Sequence, residues 1–187
     1  MNGLRRETTE KRDLMTNQGV IESALDELLY RPRYPATVLV PAAGSAFGNV
    51  SSAAYLAYPK AGTPAGRISL PTPPRYWEKG SMGIRIIWSG DTASAVTNVQ
   101  WQVNMTLTAL GGVPTVITGP QPAVPGPSVI NALQDYTFQA AGFWPIDASI
   151  ISVGINIFRN GGVAADTYAG EARLFGFQVI YTPAAGH

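Results

Sequence analysis

The stretch that decides the fold is VQWQVNMTLTA, residues 99–109. Apolar and polar residues alternate through all eleven positions, and the polar ones are only Gln, Asn and Thr. Successive side chains of a strand point to opposite faces of a sheet, so this period of two predicts a long β-strand with one buried face. The other face would carry amides and hydroxyls without any charge.

Two further long strands are predicted towards the C-terminus. In Ser149–Arg159 the apolar positions Ile151, Val153, Ile155 and Ile157 alternate with Ser, Gly and Asn. In Ala172–Tyr181 one predicted face holds Phe175, Phe177, Val179 and Tyr181, and the opposite face holds Leu174 and Ile180. Apolar residues on both faces predict that this last strand is covered on both sides.

Shorter strand candidates fill the rest of the chain after residue 35. They are Thr37–Val40, Ala53–Tyr58, Arg67–Leu70, Gly83–Trp88, Thr115–Thr118 and Asp135–Gln139. About nine strands joined by Gly- and Pro-rich loops predict an all-β, antiparallel sandwich, and this number favours a jelly roll over an immunoglobulin-type sandwich. Trp88 and Trp101 fall on the predicted inward faces, so both are expected in the core.

An N-terminal arm, residues 1–34, differs sharply in charge from the sandwich predicted for residues 35–187. The arm holds six acidic and six basic residues of the 12 and 13 in the whole chain. It also contains an apolar stripe at helical spacing, made by Ile21, Leu25, Leu28 and Leu29. One short amphipathic helix is marginal alone, which predicts that it packs on its own sandwich, on copies of itself or on another protein as a docking arm.

Composition excludes several classes of function. The 187 residues include no cysteine, and the single histidine is His187, so thiol chemistry, a Ser-His-Asp triad and a multi-histidine metal site are not expected. The net charge of +1 and the acids interleaved in the arm argue against nucleic-acid binding. No run of apolar residues is long enough to insert in a membrane, and no secretory signal is present, which predicts synthesis in the cytoplasm.

Two sets of residues remain as candidates for chemistry or binding. Asp166 and Glu171 lie in NGGVAADTYAGEA, residues 160–172, and would be the acid pair of a hydrolase; a Gly-rich turn into the last strand is the favoured interpretation. Trp77 and Trp144 lie beside predicted loops, where exposed rings would stack on sugars. No catalytic, cofactor-binding or metal-binding residue is predicted.

Three segments together resemble a known family. They are WEKGSMGIRIIW (Trp77–Trp88), VQWQV (Val99–Val103) and ISVGINIFRNGGVAADTYAGEARLFGFQVIY (Ile151–Tyr181). This order of strand patterns resembles small jelly-roll domains in virion proteins of tailed bacteriophages, of the head-decoration and fibre type. The resemblance implies a non-enzymatic virion part that assembles as a homotrimer, broadly like tumour-necrosis-factor-type trimers.

The sequence therefore predicts a structural protein, trimeric and held on capsid or tail proteins by residues 1–34. Phe175, Phe177 and Tyr181 are expected in the core or at the subunit contact. The alternative is a module of a phage fibre that binds a host surface glycan or receptor. A major capsid protein and a hydrolase are weaker alternatives, the first because the chain is small and its arm is not basic.

Overall fold

The computed structural model describes residues 31–71, 79–138, 144–147 and 149–183. These residues contain thirteen β-strands and one short 3-10 turn, joined by loops. The sandwich unit begins at Arg33. The strands are β1 (Arg33–Pro35), β2 (Val40–Ala42), β3 (Ala46–Val50), β4 (Ala53–Tyr58), β5 (Ala65–Pro71), β6 (Lys79–Gly90), β7 (Asn98–Ala109), β8 (Thr115–Thr118), β9 (Ala123–Pro125), β10 (Gln134–Phe138), β11 (Trp144–Asp147), β12 (Ile150–Arg159) and β13 (Ala172–Pro183).

The strands form two antiparallel sheets. Sheet A has the order β10–β6–β13–β4–β3, with β11 also on β6 and β1 also on β13. Sheet B has the order β2–β5–β12–β7–β8, with β9 also on β7. Eight strands have the order of a jelly roll, with β4–β13–β6–β10 in sheet A and β5–β12–β7–β8 in sheet B. Along the chain they switch between the sheets at each step except from β7 to β8. The predicted all-β antiparallel sandwich is confirmed.

The core lies between the sheets and is centred on two tryptophans. Trp88 of β6 and Trp101 of β7 are fully buried, as predicted, and their rings meet edge to face at 5.6 Å. Tyr58 of β4 packs on Trp101 at 5.0 Å. Edge-to-face pairs add to the free energy gained by burial of the rings, so this aromatic cluster ties the two sheets together.

At two β-bulges, in β12 and β13, the observed side-chain orientation differs from the predicted one. A register shift between Leu174 and Gly176 in β13 turns Phe175 to the opposite face from Phe177, whereas the sequence pattern placed them together. A second shift near Ile150 leaves Ile151 exposed. A bulge inserts one residue into a strand, so a strict period of two fails at that point. The predicted cover on both faces of β13 is found only in part, because Phe175 and Ile180 on the outward side are partly exposed.

The short elements were predicted less well. Thr37–Val40 is wrong as a strand, because a 3-10 turn at Ala36–Val38 occupies most of it and β2 begins only at Val40. Strands β3, β9 and β11 are not among the predicted strands. Each has five residues or fewer, contains Gly or Pro, and lies at an edge position where only one neighbour supports it.

Some predictions fall on parts of the chain that are not described. The arm helix with Ile21, Leu25, Leu28 and Leu29, and the ring of Trp77, lie outside the described residues. None of the helical segments described is long and apolar enough to cross a membrane.

Candidate functional site

A groove of about 480 Å³ crosses the outer face of sheet B, and we call it the sheet B groove. Its polar lining consists of Arg67, Ser69, Asn104, Thr106 and Asn156, with Gly154 at its centre. Val40 on β2 and Val116 on β8 also line it, so the groove reaches both edges of the sheet. Asn104 and Thr106 belong to the amide and hydroxyl face that the alternation in β7 predicted, and Arg67 of β5 adds a charge to it.

Strand register arranges the polar residues in rows. Arg67 of β5 pairs with Asn156 of β12, and Asn156 pairs with Asn104 of β7. Neighbouring strands are about 4.8 Å apart, so this row spans about 10 Å of the sheet. The next row along the strands contains Ser69, Gly154 and Thr106 in the same way.

The depression in the sheet exists because residue 154 has no side chain. Gly154 lies in the middle of β12, a strand with neighbours on both sides. A Cβ built there would lie 3.3 Å from the Cβ of Thr106 and would occupy the groove. Glycine weakens a strand interior and often marks a place where a ligand approaches the backbone closely.

Hydrogen bonds among amides fix the orientation of Asn104. Its Oδ1 accepts from Nε2 of Gln102 at 3.0 Å and from the backbone N–H of Gly119 at 3.3 Å. Gln102 in turn accepts at Oε1 from Nδ2 of Asn160 at 2.8 Å. Because the oxygen of Asn104 is occupied, its Nδ2 is the atom left to donate to a ligand.

The side chains of Asn156 and Arg67 keep unused hydrogen-bonding capacity. The Oδ1 of Asn156 is buried and has no hydrogen-bond partner within the described ranges. Arg67 is exposed, and its side chain forms no ion pair or hydrogen bond with any described residue. Buried polar atoms are nearly always hydrogen-bonded in folded proteins, so an unpaired one in a groove points to a ligand or water there.

The loop with Asp166 is a structural turn and not an acid pair open to solvent. Asp166 accepts two hydrogen bonds from Arg159, from Nε at 2.8 Å and from Nη2 at 2.7 Å. Both side chains are 0% exposed. Glu171 instead pairs with Arg173 at 3.0 Å, so the two carboxylates belong to separate ion pairs.

The remaining NH groups of Arg159 bond to backbone carbonyls. Nη1 donates to the oxygens of Tyr58 and Gly170, at 3.1 and 2.7 Å, and Nη2 also donates to the oxygen of Tyr168. All five guanidinium donors are therefore used to hold the loop onto β4 and β12.

The other residues predicted as sites are dispersed. Phe177 and Tyr181 lie in the core, and Phe175 packs on Tyr55 at 5.7 Å between ring centroids. Trp144 lies in β11 of sheet A, whereas the groove belongs to sheet B. The one outward aromatic residue among the described strands of sheet B is Phe158, which pairs with Gln102 and follows Asn156 by two positions.

Metal and acid chemistry find no support in the described geometry. No group of three or more His, Asp or Glu residues suited to a metal ion occurs in the ranges that the structure describes. Sequence reasoning noted the uncharged polar face but missed the groove, because Arg67, Asn104 and Asn156 lie on three strands far apart in the chain.

Comparisons with known proteins match the fold only. No protein-family model and no curated protein sequence matches this chain. Among solved structures, it is similar to the C-terminal family 22 carbohydrate-binding module of Clostridium thermocellum Xyn10B, with a TM-score of 0.50 and 10% identity over 84% of this chain and 94% of that one.

It is also similar to the CBM22-1 and GH10 modules of the same xylanase, complexed with xylohexaose, with a TM-score of 0.55 and 3% identity over 84% of this chain and 30% of that one. A structure of infectious bursal disease virus, Gx strain, is less similar, with a TM-score of 0.37 and 12% identity over 84% of this chain and 34% of that one. At these identities the likeness shows a jelly-roll fold.

Proposed function

We propose that this chain binds glycans through the sheet B groove and carries out no catalysis. The observation that carries the proposal is a groove in a β-sheet lined by amide, hydroxyl and guanidinium groups whose hydrogen-bonding capacity is partly unused. Sugars present rows of hydroxyls that both donate and accept, and a few well-placed polar groups in a concave site confer specificity. The rows of Asn104, Asn156 and Ser69 provide such groups.

The fold supports this function more than the predicted virion role. Of the two similar solved structures with TM-scores of at least 0.5 described above, one is a carbohydrate-binding module known for ligand binding in its cleft, and the other contains such a module beside a GH10 module. The glycan-binding alternative drawn from the sequence is therefore preferred. The aromatic residue proposed to stack on a sugar is now Phe158, in place of Trp77 or Trp144. Phe158 lies beside the polar rows on the same face, whereas stacking by Trp77 or Trp144 stays a prediction.

Glycan-array binding by purified protein tests the proposal. The wild-type chain should retain at least one glycan, and the double variant Asn104→Ala/Asn156→Ala should lose it, because both amides that face the groove are gone. Asn49→Ala is the matched control, since Asn49 is an exposed amide on edge strand β3 of sheet A. Binding that survives in the double variant, or no binding to any glycan, contradicts the proposal.

A second candidate function is the trimeric virion part predicted from the sequence. The observation that favours it is the hairpin between β7 and β8, where Leu110 and Val113 are 82% and 87% exposed. A subunit contact would cover these side chains. Light scattering should then give three copies, and Leu110→Ser/Val113→Ser should lower the mass; a monomeric wild type contradicts this candidate.

The virion candidate also predicts a separate role for residues 1–34. Their deletion should leave a folded trimer that no longer joins the particle. Should the truncated protein still join, the arm is not the docking element.

A further inference from the structure

We infer that the glycan bound in the sheet B groove carries carboxylates, as polymers of uronic acids do. This inference rests on the proposed function and specifies the ligand of the same site. It follows from the charge of the groove and from the type of hydrogen-bonding groups in the row of Arg67, Asn156 and Asn104, which we call the central row. It follows also from the lack of a competing acid among the described side chains.

Among the described residues that line the groove, Arg67 is the one that carries a charge. It lies on β5 next to Asn156, and its side chain has no ionic or hydrogen-bonded partner in the described structure. Many arginine side chains on protein surfaces are simply exposed to water and have no binding role. This one projects into a concave site beside a buried, unpaired amide oxygen, which makes it a group available to a ligand.

No described acid neutralises Arg67. Four acidic residues have described side chains, and each is engaged elsewhere. Asp135, Asp166 and Glu171 pair with Arg85, Arg159 and Arg173. Asp91 accepts at Oδ1 from the backbone N–H of Glu171 at 2.8 Å. No carboxylate of the described residues therefore compensates the positive charge of the Arg67 guanidinium, which favours an anion in the groove.

The central row is also rich in donors. Arg67 has five N–H donors and no acceptor, and Asn104 has only its Nδ2 left because Oδ1 is occupied. A carboxylate accepts hydrogen bonds and donates none. The planar guanidinium matches it with two parallel hydrogen bonds, and such charge-assisted pairs are stronger than neutral ones. A uronate carboxylate on Arg67 would place the sugar ring over Asn156 and Asn104.

The experiment is isothermal titration with a panel of uronic acid oligosaccharides, namely galacturonan, mannuronan, guluronan and glucuronoxylan. Each is paired with its carboxyl-reduced form, which keeps the backbone and removes the charge. At least one acidic form should bind about tenfold or more tightly than its reduced partner, the size expected for a charge-assisted hydrogen bond. Its affinity should fall as salt is raised, because Coulombic attraction is screened.

Variants at residue 67 show whether the effect belongs to this arginine. Arg67→Gln should weaken the acidic form by about tenfold and leave the reduced form unchanged. Arg67→Lys should recover the salt dependence but not the full affinity, because an ammonium group cannot form the bidentate contact. Arg85→Gln, on the outer face of sheet A, is the matched control and should change neither.

The outcomes separate this inference from the proposed function. If the reduced forms bind as tightly as the acidic forms and Arg67→Gln has no effect, the inference is wrong and glycan binding stands. If dextran sulfate binds through Arg67 and no uronate does, the anion is not a carboxylate and the inference is again wrong. If neither acidic nor neutral glycans bind, the proposed function fails and the inference fails with it.

Discussion

The two arginine sites of this sandwich, Arg159 and Arg67, use the same side chain in opposite ways. Arg159 is fully buried, and its five donors are bonded to Asp166 and to backbone carbonyls of the loop after β12. Arg67 lies in the sheet B groove and has no described partner. The difference teaches that a polar cluster saturated within the chain is structural, whereas one with unused donors is available to bind.

The contrast also settles the loop NGGVAADTYAGEA, residues 160–172, which was considered as a hydrolytic site. The carboxylate of Asp166 accepts two hydrogen bonds from the buried guanidinium of Arg159 and a third from the backbone N–H of Gln100 at 3.1 Å, and its side chain is buried away from any substrate. Asp166 therefore has a structural role in holding this loop. The groove on the other side of β12 carries the unused polar groups.

The largest effect is expected for Asp166→Ala. Removal of one partner leaves the guanidinium of Arg159 buried without its counter-charge, which typically costs about 3–5 kcal/mol in the free energy of unfolding. Urea denaturation followed by tryptophan fluorescence measures it. A loss below about 1 kcal/mol would show that the Asp166–Arg159 pair contributes no more to stability than an exposed ion pair does.

Gly154→Thr should separate binding from stability. The new side chain fills the centre of the groove, so glycan binding should fall by more than about tenfold, or 1.4 kcal/mol. Threonine suits a strand, and the tight contact with Thr106 is the opposing cost, so stability should change by less than about 1 kcal/mol. Retained glycan affinity on a folded variant would remove the groove as the site.

Tyr58→Phe should have a smaller effect that depends on pH. Burial raises the pKa of Tyr58, and burial raises the pKa of Tyr181 from 10.0 to about 12. A folded pKa above the unfolded value gives stability that is complete below about pH 10 and is lost as pH rises through the folded pKa. The wild-type chain should therefore lose stability progressively from about pH 10 to pH 12.

The variant removes one of these groups and the hydrogen bond from Tyr58 to the oxygen of Ile157, 3.1 Å long. Its unfolding free energy should drop by about 1 kcal/mol at neutral pH and decline less steeply above pH 10. Denaturation curves across this range provide the measurement. An unchanged alkaline slope would mean that Tyr58 does not contribute to it.

The smallest effect is expected for Asp135→Ala, the surface counterpart of Asp166→Ala. Asp135 and Arg85 pair at 2.8 Å, but their side chains are 49% and 42% exposed. Exposed pairs contribute about 0–1 kcal/mol, since water and salt screen them. A loss equal to that of Asp166→Ala, measured in the same denaturation series, would break the contrast between buried and exposed polar clusters.

Several parts of the fold could be predicted from sequence because their signal is local. The alternation in β7 fixes which side faces the core, and the tryptophans of β6 and β7 lie where that pattern placed them. Prediction failed at Phe175 and Ile151, where a bulge interrupts the period of two. It also failed at β3, β9 and β11, whose pairing depends on a neighbouring strand rather than on their own residues.

The sequence alone established that this chain forms an antiparallel sandwich and that the polar side of β7 carries no charge, because side-chain alternation is a property of each strand. It also determined that histidine and thiol chemistry are absent from the body of the protein. Only the tertiary structure decided which polar groups bond to each other and which remain unused. Asp166 finds Arg159 seven residues away, while Arg67, Asn156 and Asn104 meet only when three strands pair in register.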